Sequence, residues 1–315
     1  MIRKQSVKTW STPVCIGASR TIPCALCGGS GFGRGPDCGD FSYARCKACG
    51  LVQMNPQPEK TEVMRRYREA YGKDYLSYEL NNEDKFLKLQ LLALKDSGFE
   101  AHEKDLFAKY SKSGILPNVL DIGCATGALL EHFANRGWRV TGVEISPSAE
   151  YARKKRNLNI TEIPLEENNF PPETFDIIHA SHFIEHVNDP RSFLGETRRI
   201  LKHDGRVFIT TPNIAGFQAR LLGNKWRSAI FDHLYLFSAR TLKSLLEDVG
   251  FIVEGIYTWG GLAEGLAPLW LKKIADSMAK RLNTGDVMMV KARKNHLRSF
   301  NNTHVAPVPP PEAFS

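Results

Sequence analysis

The sequence predicts an α/β fold: a doubly wound sheet of seven strands, preceded by a small metal-binding module. Three observations support this prediction. An apolar run of strand length, 119–122, leads into a small-residue turn, 123–127, and then a segment of helical period. Two Cys-x-x-Cys-Gly sequences lie upstream of it. Downstream, strand-length apolar runs alternate with amphipathic helical segments as far as residue 294.

The turn after the first of these strands has the pattern of a nucleotide site. Gly123 and Gly127 frame it, and a helical segment follows directly. A strand that feeds such a turn leaves backbone N–H groups and a helix N-terminus facing a ligand. Glu144 ends the next predicted strand, where a carboxylate can accept hydrogen bonds from ribose hydroxyls. We therefore expect a nucleotide-type ligand at this edge of the sheet.

Size and charge limit the class of protein. The chain has 315 residues, 42% of them apolar, and no apolar run of membrane-spanning length, so we expect a soluble protein without a transmembrane segment. The first twenty residues are basic and free of acids, which suits a plain tail or a transit peptide. The net charge of +8 indicates either a solvated surface or a phosphate-bearing partner, such as nucleic acid or a nucleotide sugar.

The two cysteine pairs have the spacing of two zinc knuckles. Their four thiols, Cys24, Cys27, Cys46 and Cys49, can close a tetrahedral zinc site without an open position, which indicates a structural role. Free thiols or two disulfides are the alternatives, and other soft metals also bind thiolates. Cys15, Cys38 and Cys124 fall outside the pattern. A thiolate site without a secretory signal predicts the reducing cytoplasm.

We divide the chain into five segments. These are a flexible tail (1–20), a zinc-ribbon module (21–58), a helical linker or lid (59–115), the main α/β domain (116–294) and a second flexible tail (295–315). The predicted strands are Val119–Ile122, Val140–Ile145, Ile160–Ile163, Phe175–Ala180, Arg206–Thr211, Ile252–Trp259 and Val287–Lys291. Helix starts are predicted at Ser146-Pro147, Asp189-Pro190 and Ser238. A terminal antiparallel strand is expected, unlike in a dinucleotide-binding domain.

Two helical segments have more than one interpretation. An aromatic stripe in 59–115 is either core that joins the module to the main domain or a lid over the ligand; it comprises Val63, Met64, Tyr67, Tyr71, Tyr75 and Tyr78. The segment 262–282 places Leu271, Ile274, Met278 and Leu282 on one helical face. It is a lid, a dimer helix or a membrane-surface helix near a lipid-linked substrate.

Several motifs occur in a recognisable order. They are Val-Leu-Asp121-Ile-Gly123-Cys-Ala-Thr-Gly127, Gly-Val-Glu144-Ile-Ser-Pro, Phe-Pro-Pro-Glu-Thr-Phe-Asp176-Ile-Ile, Ile-Glu185-His186-Val-Asn-Asp-Pro and Leu201-Lys-His-Asp-Gly205-Arg-Val. As an ensemble they closely resemble the class I S-adenosylmethionine-dependent methyltransferases over residues 116–294, which implies a Rossmann-like methyltransferase sheet. One departure is Ala125, which stands at the middle glycine of the usual pattern. The cysteine pairs followed by Leu51-Val-Gln-Met-Asn-Pro resemble bacterial methyltransferases with an N-terminal zinc module, some of which act on nucleotide-linked sugars.

The resemblance implies a set of cofactor contacts. The methionine end of S-adenosylmethionine would be held by Asp121, Gly123, Cys124, Ala125, Thr126 and Gly127. Glu144 would take the ribose hydroxyls and Ile145 would pack on the adenine, whose amino group would meet Leu165 and Glu166. Ala180 and His182 would flank the methyl donor.

Methyl transfer from a sulfonium requires aligned reactants and removal of a proton. The candidates for proton removal are His182, Glu185, His186 and His233, because histidine titrates near neutrality. His182, Glu185 and His186 would share one face if their segment is helical. In ubiquinone-type O-methyltransferases a similar Glu-x-x-Glu-His stretch is associated with a divalent metal, and His182 departs from its first position. His233 lies in an aromatic and polar insertion, 213–237.

Taken together, the residues and the resemblance predict a methyltransferase that acts on a small molecule. The expected acceptor is a hydroxyl of a sugar or related metabolite in polysaccharide or secondary-metabolite biosynthesis. RNA methylation is an alternative, motivated by the basic balance and the zinc ribbon. A catalytically silent cofactor-binding protein and a nicotinamide dehydrogenase are others, and a homodimer remains open.

Overall fold

The computed structural model describes residues 19–70, 72–262 and 268–296. Cys15, Tyr71 and most of the two predicted tails therefore lie outside the described residues. The strands are β1 (Ser19–Arg20), β2 (Phe32–Asp37), β3 (Ser42–Cys46), β4 (Val52–Met54), β5 (Gln57–Pro58), β6 (Asn118–Ile122), β7 (Arg139–Val143), β8 (Ile160–Thr161), β9 (Phe175–Ser181), β10 (Leu201–Pro212), β11 (Tyr235–Leu236), β12 (Phe251–Trp259) and β13 (Val287–Lys294). The α-helices are α1 (Lys60–Arg65), α2 (Gly72–Asp96), α3 (Phe99–Tyr110), α4 (Ala128–Ala134), α5 (Ser148–Arg156), α6 (Pro190–Ile200), α7 (Phe217–Leu222), α8 (Ala239–Asp248) and α9 (Leu269–Arg281).

The main sheet has seven strands in the order β12-β13-β10-β9-β6-β7-β8. Its β8, β7, β6, β9 and β10 pair in parallel, whereas β13 runs antiparallel to both β10 and β12. This confirms the doubly wound seven-stranded fold and its antiparallel terminal strand. Strands β6 and β9 are buried along nearly their whole length, as expected for parallel strands covered on both faces.

Helix starts follow the sequence signals closely. Asp189 accepts hydrogen bonds from the N–H groups of Arg191 and Ser192 before α6, and Ser238 forms a capping box with Thr241 at α8. Helix α5 begins at Ser148, so its capping residue is Pro147 and the predicted start at Ser146 is one residue early.

Strand β10 is longer than predicted. It begins at Leu201 instead of Arg206, and its pairing with β9 shifts register between these two residues. Gly205 lies at the shift, where a Cβ atom would come within 2.9 Å of the carbonyl oxygen of Asp176. A turn-like sequence is therefore accommodated inside a strand, because glycine permits this close backbone approach.

The cysteine-containing module shares a β-sheet with a later part of the chain, the insertion that follows β10. Its strands β2, β3 and β4 form a four-stranded antiparallel sheet whose last strand is β11, from the insertion after β10. Tyr43 and Met54 of the module belong to the same buried apolar cluster as Phe237 and Leu246. The module is therefore packed as part of the main core.

Helices α1–α3 occupy the segment predicted to be helical. The C-terminal half of α2 and the start of α3 pack on the main domain, where Leu94 and Phe99 contact a cluster that contains Phe133 and Trp138. The aromatic stripe does not stay on one buried face, because the side chain of Tyr78 is half exposed. None of the helices in the described part of the chain is long and apolar enough to cross a membrane.

Candidate active site

The glycine turn after β6 requires left-handed backbone. Gly123 has φ +72° and Gly127 has φ +80°. A Cβ atom at Gly123 would lie 2.8 Å from a ring carbon of Phe183, so the turn is closed to a side chain there. Ala125 also has a positive φ, 49°, which costs an L-residue about 1 kcal/mol. Glycine would adopt this backbone conformation without that cost. The usual middle glycine therefore has a conformational advantage here as well as leaving room for a ligand.

Glu144 follows β7 and is held beside this turn. Its carboxylate accepts hydrogen bonds from the backbone N–H of Ala125 (3.0 Å) and of Ser146 (2.8 Å). Burial raises the pKa of Glu144, while these N–H groups favour its ionised form. The result is a fixed, buried acceptor at the end of the second parallel strand, which fits the diol of a nucleoside.

Asp121 has a protein partner that the sequence did not reveal. His179 of β9 contacts it, with Nδ1 2.7 Å from the carboxylate oxygen, and both side chains are buried. The two residues are direct neighbours in the β6–β9 register. A polar residue inside the apolar run of β9 was the available signal, and Ala180 beside it is fully buried.

The remaining predicted cofactor residues surround the same edge. Cys124 and Thr126 are buried in the turn, and burial raises the pKa of the Cys124 thiol, which keeps it protonated. Leu165 is buried in a short turn after β8, whereas Glu166 beside it is exposed, and Ile145 is half-buried. Their contacts with adenine remain predictions.

Helix α2 contacts the glycine turn through its first half. Glu83 accepts a hydrogen bond from the Thr126 hydroxyl (2.5 Å) and pairs with Arg156. One turn earlier, Glu79 accepts from the hydroxyl of Ser148 at 3.3 Å. Burial and then the charge of Glu144 raise the pKa of Glu79 to about 7. These contacts hold the first half of α2 against the glycine turn and α5, and the lid interpretation stays a prediction.

A cluster of predicted catalytic residues lies where β9 ends. His182 has a left-handed backbone, φ 52°, and a short turn, Ile184–His186, follows it. The condition for a shared helical face is therefore not met at His182, yet its Nδ1 still lies 3.2 Å from the Glu185 carboxylate. The Thr211 hydroxyl donates to the other oxygen of Glu185 (2.9 Å). Burial alone would raise the pKa of Glu185, but the hydrogen bond with His182 and the neighbouring histidines lower it to about 2.

His186 and His233 complete this cluster. Their rings meet edge to face with centroids 4.7 Å apart, and the Tyr67 hydroxyl lies 2.8 Å from Nδ1 of His186. His233 is buried with its Nδ1 2.8 Å from the carbonyl oxygen of Ser228, and burial lowers its pKa to about 3. Ligand atoms of Glu185, His186 and His233 all lie within 4.8 Å of one another. This set contains His233 in place of His182, so the divalent metal considered for His182, Glu185 and His186 stays a prediction.

The module with the cysteines holds the insertion that carries His233. The Tyr43 hydroxyl lies 2.7 Å and 2.8 Å from the carbonyl oxygens of Ile230 and His233. The carbonyl of Leu234 accepts from the N–H of Met54 at 2.8 Å. The sequence analysis did not predict this connection.

The four cysteines of the two pairs are brought together. The Sγ atoms of Cys24 and Cys49 are 3.4 Å apart, those of Cys27 and Cys46 are 3.5 Å apart, and all four lie within 4.8 Å of one another. A disulfide needs about 2 Å, whereas thiolates in a tetrahedral zinc site lie roughly 3.8 Å apart. Burial would raise the pKa of Cys46, but backbone N–H groups of Cys49 and Ala48 lower it to about 7. The donor set therefore fits a structural metal.

Fold and site together define a class of protein. The parallel sheet with one antiparallel strand, the glycine turn and the buried carboxylate after β7 are those of an α/β nucleotide-binding protein. A family model described as a methyltransferase domain matches residues 65–254, more than half of the chain. The chain belongs to this methyltransferase-domain family.

Curated relatives match part of the chain. A ubiquinone biosynthesis O-methyltransferase of Bradyrhizobium sp. (strain ORS 278) is 34% identical over 131 residues, which are 40% of this chain and 51% of the relative. A mitochondrial protein of the same name from Schizosaccharomyces pombe is 38% identical over 101 residues, 30% of this chain and 37% of its own length. The chain thus spans about half the length, or less, of the curated relatives it matches.

Solved structures also share similarity with this chain. A crystal structure of an S-adenosylmethionine-dependent methyltransferase from Archaeoglobus fulgidus is 21% identical, with a TM-score of 0.45, and the match covers 62% of this chain and 94% of that one. A complex between the Haloferax volcanii Trm112 methyltransferase activator and a methyltransferase gives 19% identity and a TM-score of 0.45, over 66% and 96% of the two chains.

Proposed function

We propose that the protein is an S-adenosylmethionine-dependent methyltransferase that methylates a hydroxyl group of a small molecule and carries a structural zinc ion. Membership of the methyltransferase-domain family supports the reaction class. The glycine turn and Glu144 fit a nucleoside ligand, and the cysteine tetrad fits zinc. The observation that carries the proposal is the contact between His182 and Glu185, close to the turn.

The two residues form an acid–base pair. An ionised Glu185 carboxylate can only accept, so Nδ1–H of His182 donates to it and the lone pair of the neutral imidazole is on Nε2. The His182 side chain is 49% exposed. S-adenosylmethionine supplies an electrophilic methyl group when bound. His182 would take the proton of the acceptor hydroxyl. The acceptor oxygen would bond to the methyl carbon as the bond between this carbon and the sulfonium sulfur breaks. Thr211 holds the carboxylate in place through its second oxygen.

The acceptor is proposed at two levels. Oxygen as the methylated atom is supported by the names of the relatives, which are O-methyltransferases. The zinc module supports a sugar hydroxyl by its resemblance to methyltransferases that act on nucleotide-linked sugars. A hydroxyl group on an otherwise apolar ring is the second candidate for the acceptor, favoured by the exposed apolar side chains of α9.

The test is a transfer assay with methyl-labelled S-adenosylmethionine. Purified protein is incubated with nucleotide-sugar, lipid-extract and RNA fractions, and label is counted in each. We expect label in a small-molecule fraction, and the sugar or lipid fraction then selects the acceptor class. Label in RNA alone would overturn the acceptor class, and bound cofactor without transfer to any fraction would indicate a silent binding protein.

The role of His182 is tested with a matched variant. His182→Gln keeps a polar side chain but removes the base, so we expect kcat to fall by about two orders of magnitude or more with cofactor affinity unchanged. His203→Gln is the control. It changes an exposed histidine near the amino end of β10, whereas His182 lies beside the carboxyl end of this strand. Equal kcat in both variants and the wild type would exclude His182 as the base.

A further inference from the structure

Helix α9 packs on the protein through its small residues. Ala279 is buried, and its carbonyl accepts a hydrogen bond from the Thr258 hydroxyl at 3.1 Å. A Cβ atom at Gly261 would lie 2.3 Å from the carbonyl oxygen of Ala275, so the helix backbone lies directly against this glycine. Asp276 accepts from the N–H of Gly261 (2.7 Å). The inner face of α9 is thus already satisfied by close backbone contacts.

The large apolar side chains that the structure describes on α9 face outward. With Leu282, directly after the helix, their exposed fractions run from 39% at Leu271 to 65% at Trp270. The group comprises Trp270, Leu271, Ile274, Met278 and Leu282, which we call the apolar stripe. These positions follow the helical period and lie within roughly a third of the helix circumference. This is the reverse of an ordinary surface helix, whose apolar stripe is turned to the core.

The stripe is extended by the short helix α7. Phe217 and Leu221 are 48% and 60% exposed, and the N–H of Phe217 donates to the carbonyl of Thr284 just beyond α9. The chain from β12 to β13 leaves the sheet beside Pro212, since Trp259 and Pro212 both pair with Val287. The stripe therefore lies at the carboxyl edge of the sheet, which also carries the candidate active site.

The helices that carry the stripe also carry exposed cations. Lys272 and Lys280 are paired with Asp276 and Asp96. In contrast, exposed cations of α7, α9 and the turn after α7 form no ion pair with any acidic group in the described part of the chain; these are Arg220, Lys225, Lys273 and Arg281. The chain as a whole carries a net charge of +8.

We propose that the apolar stripe and its cations dock on an anionic lipid surface. Outward Trp, Leu and Ile side chains beside exposed Lys and Arg are the composition that binds a helix in the plane of a membrane interface. A second copy of the chain suits the surface less well. In a two-fold dimer the same patch occurs on both subunits, so these exposed cations would be brought close to their own copies. Anionic headgroups would instead neutralise them.

The test is co-sedimentation of the full chain with lipid vesicles. One set contains equal parts of phosphatidylcholine and phosphatidylglycerol, and the other contains phosphatidylcholine alone. We expect retention on the anionic vesicles that weakens as salt is raised. The double variant Ile274→Glu with Met278→Glu should lower the vesicle affinity by about tenfold or more, because two apolar side chains leave the interface.

The matched control is Ile115→Glu with Leu116→Glu. It adds the same charge at two residues of similar exposure that precede β6, at the opposite edge of the sheet. It should bind vesicles nearly as the wild type does. Equal binding by both double variants, equal binding to neutral vesicles, or no binding would overturn the proposal. Self-association that only the α9 variant abolishes, without vesicle binding, would assign the stripe to a second copy. Vesicle binding needs no methyl transfer, so either proposal can fail alone.

Discussion

The main-chain N–H of Leu234 donates to the carbonyl oxygen of Glu185 at 2.7 Å. Leu234 is also the residue whose carbonyl accepts from Met54 in the cysteine-containing module. One peptide segment therefore joins the module to the turn that carries the proposed acid–base pair. Because His233 is the residue before Leu234, the module also fixes the position of this buried histidine.

Removal of the metal proposed for the module should disturb the candidate active site. Cys27→Ser takes away one of the four thiols while leaving the buried Cys24 and Cys46 in place. We expect loss of bound zinc, measured by metal analysis, and faster proteolytic cleavage in the insertion 213–237, because β11 loses a firm partner in β4.

Cys38→Ser is the control for this experiment. Cys38 lies in the same module but outside the tetrad, and its thiol makes a long contact, 3.6 Å, with the carbonyl oxygen of Ala229. This variant should keep both its zinc and the wild-type cleavage rate. Unchanged cleavage in a zinc-free Cys27→Ser protein would contradict the coupling between module and insertion.

Tyr43→Phe should slow catalysis more than its effect on stability suggests. The change leaves the carbonyls of Ile230 and His233 without their shared donor, at a cost of about 1–3 kcal/mol in the free energy of unfolding. Because these carbonyls flank the catalytic cluster, we expect kcat to fall while the dissociation constant of S-adenosylmethionine stays constant.

Tyr110→Phe is the control for Tyr43→Phe, because it removes a partly buried tyrosine hydrogen bond away from the candidate catalytic residues. Tyr110 donates to the Asp176 carboxylate (2.7 Å), which also hydrogen-bonds the N–H of Asn118 at the amino end of β6. The variant should lose stability in urea unfolding without a change in kcat. If both tyrosine variants lowered kcat equally, the effect would be one of stability alone.

Much of the fold could be predicted because its signals are local. The apolar runs of β6, β9 and β12, the Asp189 cap and the spacing of the cysteine pairs each depend on neighbouring residues. The pairing of β11 with β4 could not be predicted, since it joins residues far apart in sequence and β11 has only two residues. Likewise, the hydrogen bond between Thr126 and Glu83 depends on where α2 lies relative to the glycine turn, which the local sequence does not specify.

The cluster of candidate catalytic residues was predicted by residue type but only partly by geometry. Histidine and glutamate near the end of β9 indicated acid–base chemistry, and the structure brings His182, Glu185, His186 and His233 together. The helix that a shared face of His182, Glu185 and His186 would require does not form, because the strand continues to Ser181 and the chain then turns through left-handed backbone. Sequence periodicity does not reveal such a single left-handed residue when it is not glycine.

The buried Glu79 should make stability depend on pH. Its pKa is raised from 4.5 to about 7, chiefly by burial, so the folded protein holds a proton that the unfolded chain has released. The free energy of unfolding should therefore fall as pH rises from about 4.5 to about 7, by roughly 3 kcal/mol, and then level off.

Glu79→Gln should remove this pH dependence. Urea unfolding at about pH 5 and about pH 8 should give a smaller difference for the variant than for the wild type, with the variant the more stable at the higher pH. Glu100→Gln, which changes an exposed carboxylate of α3, should leave the difference as in the wild type. A wild-type stability that rises across this range more steeply than that of Glu79→Gln would contradict the account.

Gly123→Ala should weaken cofactor binding through the turn. The methyl group would meet the Phe183 ring at 2.8 Å, and the residue would stay at a positive φ. Adding Phe183→Ala should recover part of the affinity, measured by calorimetry, because it removes the clash but leaves the backbone strain. Gly137→Ala, also at positive φ but with its nearest contact at 3.7 Å, should bind the cofactor normally.

Titration of the purified chain with S-adenosylmethionine tests the central claim most directly. We predict one site per chain, and an affinity lowered about tenfold or more in Glu144→Ala, because the ribose hydroxyls lose a charged acceptor. Glu150→Ala, an exposed carboxylate in the first turn of α5, should bind as the wild type does. Absence of S-adenosylmethionine binding, or binding of a nicotinamide dinucleotide in its place, would contradict the account.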